Sequence, residues 1–256
     1  MSESNVDHSD KLHWNDELSI QCDGVVLQLT PGMRASPSTD EVITLFKDPS
    51  LVSNYIECLR GRDIRNMMEI GVRDGGSAIF FWHLLELDKL CCVELNPSAP
   101  TLTRYIENQN LKKNVHTHFG VDQADKSLLA AIVAEDFPAQ PIDLVIDDAS
   151  HVYSPSLATF ELLFPLIRPG GLYILEDWRA SLLAVVRRKS GDAEPPLDRL
   201  VHEILSFATV NPHIIPSVNC NKNFVVVERG EGHLPKEGFS LANISEYFVP
   251  AKNVPV

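Results

Sequence analysis

The chain has 256 residues, 44% of them apolar and 22% charged, enough for one large α/β domain with a sizeable core or for a domain with an appendage. A formal net charge of −13 argues against nucleic acid as the main partner, because phosphate binding needs a basic footprint; the acidity reads as a solvated surface. Five cysteines (Cys22, Cys58, Cys91, Cys92 and Cys220) without CxxC spacing fit free thiols in a reducing, cytoplasmic setting, and no apolar run approaches the ~20 residues of a membrane span.

Residues 1 to about 15, MSESNVDHSDKLHWN, are polar and carry no apolar leader, so an irregular tail over 1–14 and no secretory signal are expected. Asp23 to Leu29 predicts a short strand ended by Thr30-Pro31-Gly32. Ser38 and Glu41 have the spacing of a capping box, which predicts a helix carrying Val42, Leu45 and Phe46 inward. A second helix over Pro49 to Arg60 follows, so residues 15–60 are expected to form an N-terminal helical cap, as part of the acceptor site or as packing on a sheet.

From Ile64 an α/β rhythm begins and defines the main domain, 61–256. Asn66 to Ile70 predicts a first strand, the glycine-rich turn Gly71 to Ser77 follows, and Ala78 to Leu87 continues as a helix. Leu90 to Leu95 and Val115 to Phe119 predict the second and third strands, with helices over Thr101 to Gln109 and Lys126 to Ala134. His116 and His118 alternate on the third strand and read as packing or surface residues.

The chain is organised around Ile142 to Trp178. Two apolar runs, IDLVI and GLYILE, predict buried strands that end in acid, Asp147-Asp148 and Glu176-Asp177. Between them SPSLATFELLFPLI has helical spacing and is followed by the breaker Arg168-Pro-Gly-Gly171. Strand, crossover helix and strand make a right-handed parallel unit, and in such sheets ligands sit beyond the carboxyl ends of the strands. Both acid pairs, with His151, therefore point to one rim, where they suit cation binding or proton chemistry. Beyond Trp178, helices are expected to about Lys189 and over Leu197 to Ala208. Strands at His213 to Val218 and Asn223 to Glu228 would close the sheet as an antiparallel hairpin, and the tail from Gly230 reads as coil.

The glycine turn lets backbone approach a ligand, and Glu94, ending the second strand, suits a ribose diol. A dinucleotide fingerprint would need glycine where Arg73 stands, so a pyrophosphate is disfavoured. Glu69-Ile-Gly71 followed by Gly75-Gly76-Ser77 instead resembles the first motif of class I S-adenosylmethionine-dependent methyltransferases. That resemblance implies a Rossmann-like α/β fold, a mainly parallel seven-stranded sheet with a C-terminal antiparallel hairpin. It places Glu69 near the methionine amino group, the loop of Gly71, Arg73, Gly75 and Ser77 around the cofactor, Glu94 on the ribose, Asp122 at the adenine and Asp147 on the rim.

Three carboxylates on neighbouring strand ends, Asp148, Glu176 and Asp177, could bind Mg²⁺, with His151 placed to deprotonate a hydroxyl. The stretch Asp147-Asp-Ala-Ser-His151, with Leu163 to Asp177, resembles the metal-dependent O-methyltransferases that modify sugars on macrolides and related natural products, and cephalosporin-biosynthesis relatives. The resemblance implies Asp148, Glu176 and Asp177 as metal ligands, Asp148 and His151 as the catalytic pair, a small-molecule hydroxyl acceptor from antibiotic or other natural-product biosynthesis, and assembly into homo-oligomers. Catechol enzymes of this type carry lysine where His151 stands, which disfavours a catechol.

Plainer readings stand beside these. Asp148 could cap a turn, His151 could be a partly buried histidine on a carbonyl, and Glu176-Asp177 could end a strand in solvent. Rival functions are a cofactor-binding protein that catalyses a non-methylating cyclisation or rearrangement, a nicotinamide-dependent oxidoreductase, and a metal-independent N-methyltransferase.

Overall fold

The computed structural model describes residues 12–30, 37–39, 41–138, 140–180, 194–235 and 237–249. They fall into two compact units, one ending at Asp122 and one beginning at Gln123.

The first unit opens with a four-stranded sheet in the order β1-β2-β3-β4, formed by β1 (Leu12–Asp16), β2 (Ser19–Cys22), β3 (Val25–Leu29) and β4 (Val42–Leu45). β1, β2 and β3 are antiparallel neighbours, and β4 runs parallel to β3. Two expectations are corrected here. Leu12, His13 and Trp14, assigned to an irregular tail, already lie in β1, where they pair with Cys22, Gln21 and Ile20. The helix expected from Ser38 through Phe46 is not formed; Val42 to Leu45 is a strand. Its run Val-Ile-Thr-Leu is rich in β-branched residues, which favour the pleated sheet. The Ser38 hydroxyl accepts from the Thr44 amide at 3.0 Å rather than capping a helix, and the Thr39 hydroxyl accepts from the Val42 amide at 3.0 Å. The cap is thus a sheet followed by one helix, α1 (Pro49–Leu59). Asp48 caps that helix by accepting from the Leu51 amide at 2.9 Å, and Pro49 fits its first turn.

The rest of the first unit follows the expected rhythm: β5 (Asn66–Ile70), α2 (Gly76–Leu85), β6 (Lys89–Glu94), α3 (Pro100–Asn108) and β7 (Val115–Phe119). β5, β6 and β7 are parallel. The second unit contains α4 (Lys126–Asp136), β8 (Ile142–Asp147), α5 (Tyr153–Leu163), β9 (Ile167–Glu176), α6 (Asp198–Val210), β10 (Ser217–Cys220) and β11 (Phe224–Glu228). β8 and β9 are parallel, and β11 runs antiparallel to both β9 and β10. Together the strands make a mostly parallel seven-stranded sheet in the order β10-β11-β9-β8-β5-β6-β7, with the antiparallel hairpin that the sequence predicts.

Every residue of β8 is buried, which explains its near-continuous apolar run. Two acids interrupt it. Asp143 is paired with the Arg168 guanidinium, and Asp147 marks the strand's carboxyl end. Arg168-Pro-Gly-Gly171, expected to break the chain before the strand, lies inside β9. Ile142 pairs with Ile167 and Leu144 with Leu172, so two steps along β8 match five along β9 and the breaker forms a bulge. A Cβ at Gly171 would meet the Asp143 carbonyl oxygen at 2.7 Å, so the bulge needs glycine there.

Other expectations shift by a few residues. The strand predicted at His213 to Val218 begins at Ser217. In the final coil, Phe239 and Leu241 are buried, and residues 241–243 form a short 3-10 turn. The helix expected from Trp178 to Lys189 lies, beyond Ala180, outside the described residues. No helix among the described residues is long and apolar enough to cross a membrane.

Candidate active site

In the first unit, the turn after β5 is closed on the end of β6. Glu94 is buried, and its carboxylate accepts four hydrogen bonds. One oxygen takes the amides of Val72 at 3.1 Å and Arg73 at 2.6 Å; the other takes the Asn96 amide at 2.8 Å and the Asn96 side-chain nitrogen at 2.7 Å. The acid expected to hold a ribose therefore also shapes the glycine turn. Gly71 and Gly75 adopt left-handed φ values of 89° and 93°, which a side chain would strain. Gly76 opens α2, and a Cβ there would lie 2.1 Å from the Thr44 carbonyl oxygen at the end of β4. Asp74 leaves the turn to accept from the Thr101 amide at 3.2 Å and the Thr101 hydroxyl at 2.5 Å, capping α3.

Glu69 is fully buried near the end of β5, Ser77 lies half-buried in the first turn of α2, and Arg73 and Asp122 are exposed. The structure thus gathers Gly71, Arg73, Gly75 and Glu94 at one turn. A turn with glycine at Gly71, Gly75 and Gly76, against a buried carboxylate with hydroxyl-accepting oxygens, fits a ribose-bearing cofactor.

In the second unit, Asp147 is buried at the end of β8. It accepts from the Tyr173 hydroxyl at 2.9 Å and from the Gln123 side-chain amide at 3.1 Å. Gln123 also donates to the Thr159 hydroxyl at 3.1 Å and accepts from the Ser150 amide at 2.8 Å. Burial raises the Asp147 carboxyl above its ordinary pKa, against the opposing pull of Tyr173, His151 and Gln123. Burial, and then the charge of Asp147, push the Tyr173 hydroxyl well above its ordinary value. Asp147 therefore anchors the loop that follows it.

That loop places Asp148 and His151 beside Asp177. His151 Nε2 lies 3.8 Å from Asp148 Oδ1 and 4.0 Å from Asp177 Oδ2. One potential ligand atom from each of the three lies within 4.8 Å of the others. Both His151 (φ 55°) and Asp177 (φ 49°) are left-handed, a conformation that Asp and His adopt more readily than bulkier side chains. Asp177 is held by its amide, which donates to the Asn223 carbonyl at 3.0 Å, and the neighbouring Trp178 indole donates to the Asn221 carbonyl at 2.9 Å. Two oxygens on one Mg²⁺ ion are at most about 4.2 Å apart, so modest side-chain rotation would gather the Asp148 and Asp177 carboxylates on a hard ion, with His151 beside them. Asp148, His151 and Asp177 are brought together; Glu176 is buried within β9 and its carboxylate is not part of this cluster.

Tyr153 and Trp178, two aromatics beside the acids in sequence, are each held by a hydrogen bond from the side chain. The Tyr153 hydroxyl donates to Glu203 of α6 at 2.8 Å, and burial followed by Glu203 pushes its pKa up to about 12. Sequence reasoning missed Gln123, Tyr173, Asn221 and Asn223. Tyr173 had a signal, since a tyrosine within a buried strand needs a partner for its hydroxyl.

Residues 68–178 match the family described as methyltransferase domain, and the motifs from Glu69 to Asp177 lie within that match. Among curated proteins, the 8-demethyl-8-alpha-L-rhamnosyl tetracenomycin-C 2'-O-methyltransferase of Streptomyces olivaceus is 38% identical over 78 residues, covering 25% of this chain and 21% of that protein. The demethylmacrocin O-methyltransferase of Streptomyces fradiae is 45% identical over 60 residues, covering 23% of this chain and 14% of that protein. Among solved structures, the MycE methyltransferase from the mycinamycin biosynthetic pathway, in complex with Mg and SAH, superimposes with a TM-score of 0.52 at 25% identity, over 73% of this chain and 51% of that chain. The matches thus span about half of that solved chain, and about a fifth or less of these two curated relatives. The resemblance to sugar and macrolide O-methyltransferases expected from the motifs is borne out, as is the mainly parallel α/β fold.

Proposed function

We propose that the protein is an S-adenosylmethionine-dependent O-methyltransferase, assisted by Mg²⁺, that methylates a hydroxyl of a glycosylated or polyketide-type small molecule. The observation that carries this reading is the convergence of Asp148, His151 and Asp177 within a methyltransferase domain. The names of the relatives, which act on a rhamnosyl tetracenomycin and on demethylmacrocin, support the acceptor class, and the MycE complex with Mg and SAH supports the cofactor pair. Assembly into homo-oligomers belongs to the same proposal.

In the first unit, Gly71, Arg73, Gly75 and Ser77 would line the cofactor, Glu69 would face its amino group, Glu94 its ribose and Asp122 its adenine. Glu94 already accepts four hydrogen bonds, so a ribose hydroxyl would enter by displacing a donor. The Asn96 side chain suits that exchange, because the other three donors are backbone amides. In the second unit, Asp148 and Asp177 would hold the ion, with Glu176 supporting them from β9. When bound, S-adenosylmethionine supplies an electrophilic methyl group, and the ion supplies positive charge that eases loss of a hydroxyl proton. His151 Nε2 would take that proton, with the flanking carboxylates stabilising the imidazolium.

The test is a thermal-shift titration with S-adenosylhomocysteine, with and without Mg²⁺, on the wild type and Asp148→Ala. A ligand that binds the folded state raises the melting temperature. A shift with S-adenosylhomocysteine, and a further Mg²⁺ shift lost in Asp148→Ala, is expected. No shift at saturating S-adenosylhomocysteine would overturn the methyltransferase reading. An Mg²⁺ response unchanged in Asp148→Ala would overturn the metal assignment.

A further inference from the structure

We propose that Phe46 is a positioning residue for the cofactor turn: its ring holds Arg73 in a left-handed conformation and thereby keeps the Val72 and Arg73 amides on Glu94. The proposal rests on reading that turn as the cofactor site.

Three observations carry it. Arg73 has φ 54°. Long, unbranched side chains with no local hydrogen-bonding group seldom adopt that conformation, so the surroundings must hold it. The Arg73 guanidinium lies over the Phe46 ring, 3.6 Å from its centroid, a separation that suits a cation–π stack. The amides on either side of the Val72 Cα are the two that donate to one Glu94 oxygen, at 3.1 and 2.6 Å. Relaxing Arg73 to an ordinary φ rotates those amides away from the carboxylate.

Phe46 directly follows β4, and the same strand end presents the Thr44 carbonyl oxygen to Gly76, where a Cβ would come within 2.1 Å. The end of β4 thus touches the turn on both sides, at Arg73 and at Gly76. The N-terminal sheet therefore braces the turn that would hold the cofactor. The same contact explains how arginine is tolerated where a dinucleotide fingerprint has glycine. Glycine adopts positive φ unaided, whereas arginine here has an aromatic face to lie on.

A double-mutant cycle tests this, read by the dissociation constant for S-adenosylhomocysteine and by amide hydrogen exchange at Val72 and Arg73. Phe46→Ala is expected to weaken binding roughly tenfold and to speed exchange at both amides. In the Arg73→Gly background the same substitution is expected to cost less than about twofold, because glycine needs no brace. Phe46→Leu keeps apolar bulk without a ring face; it is expected to behave as Phe46→Ala and stands in for it if the alanine variant does not fold. Wild-type behaviour of both Phe46 variants, or an equal loss in both backgrounds, would overturn the proposal. If the wild type does not bind S-adenosylhomocysteine, the functional reading fails, and the exchange rates still decide whether Phe46 braces the turn.

Discussion

The glycine turn of the first unit and the acid cluster of the second are built on opposite principles. The turn is closed on itself: Glu94 gathers four donors within 3.1 Å, Asp74 caps α3, and Thr44 and Phe46 at the end of β4 meet the turn at Gly76 and Arg73. The acid cluster is open, with His151 3.8 and 4.0 Å from the two carboxylates and Asp177 largely exposed. Its order comes from behind, through Asp147 with Tyr173 and Gln123 and through the Asn221 to Asn223 turn. A ligand with hydroxyl donors can enter the first by exchanging hydrogen bonds. The second gathers negative charge and gains most from a cation. Substitutions in the turn should therefore cost stability, and substitutions in the cluster should cost metal-dependent activity.

The largest expected effect lies in the cluster. Asp148→Ala should lower Mg²⁺-supported methyl transfer at least about 100-fold, with unfolding free energy nearly unchanged. Steady-state transfer and urea denaturation on the same preparation check this; a large stability loss would break the comparison. Next is the turn. Gly76→Ala drives a methyl group into the Thr44 carbonyl and should destabilise the fold by about 1–3 kcal/mol, seen as a lower urea midpoint. Tyr173→Phe removes a donor from buried Asp147 and should cost about 1–2 kcal/mol in the same assay, sharpening the view that the open cluster stands on a closed base.

The smallest effect is on pH dependence. Burial raises the Asp147 carboxyl in the folded state. Its contribution to stability is therefore fully present below the ordinary carboxylate range and is lost as pH rises through the raised folded value. The wild type should lose stability relative to Asp147→Asn across that window, as measured by urea midpoints at successive pH values. A constant difference would show that Asp147 titrates normally.

The α/β rhythm from Asn66 onward was legible because each strand is a short apolar run between helical spacings, and burial on both faces demands such runs. Gly71 and Gly75 were legible because positive φ selects glycine, and the acids were legible because they end strands. The segment from Ser38 to Phe46 was misread. Ser38 and Glu41 satisfy a local helix-start pattern, but pairing of Val42 to Leu45 with β3 outweighs it, and that partner is distant in sequence. Gln123 and Asn223 gave no signal, since a polar residue's partners are set by what folding brings beside it.

What the sequence by itself determined is the order of elements from Asn66 onward, the glycine turn and the chemical character of the acid rim, because periodicity, glycine and charge are local properties. Only the tertiary structure decided that His151 stands between Asp148 and Asp177 while Glu176 stays buried in β9, that Asp147 supports the cluster from within, and that Phe46 meets Arg73. Except between Asp148 and His151, those are distances between residues far apart in the chain, and all are fixed by strand register and by the left-handed backbone at Arg73, His151 and Asp177, neither of which residue type alone encodes.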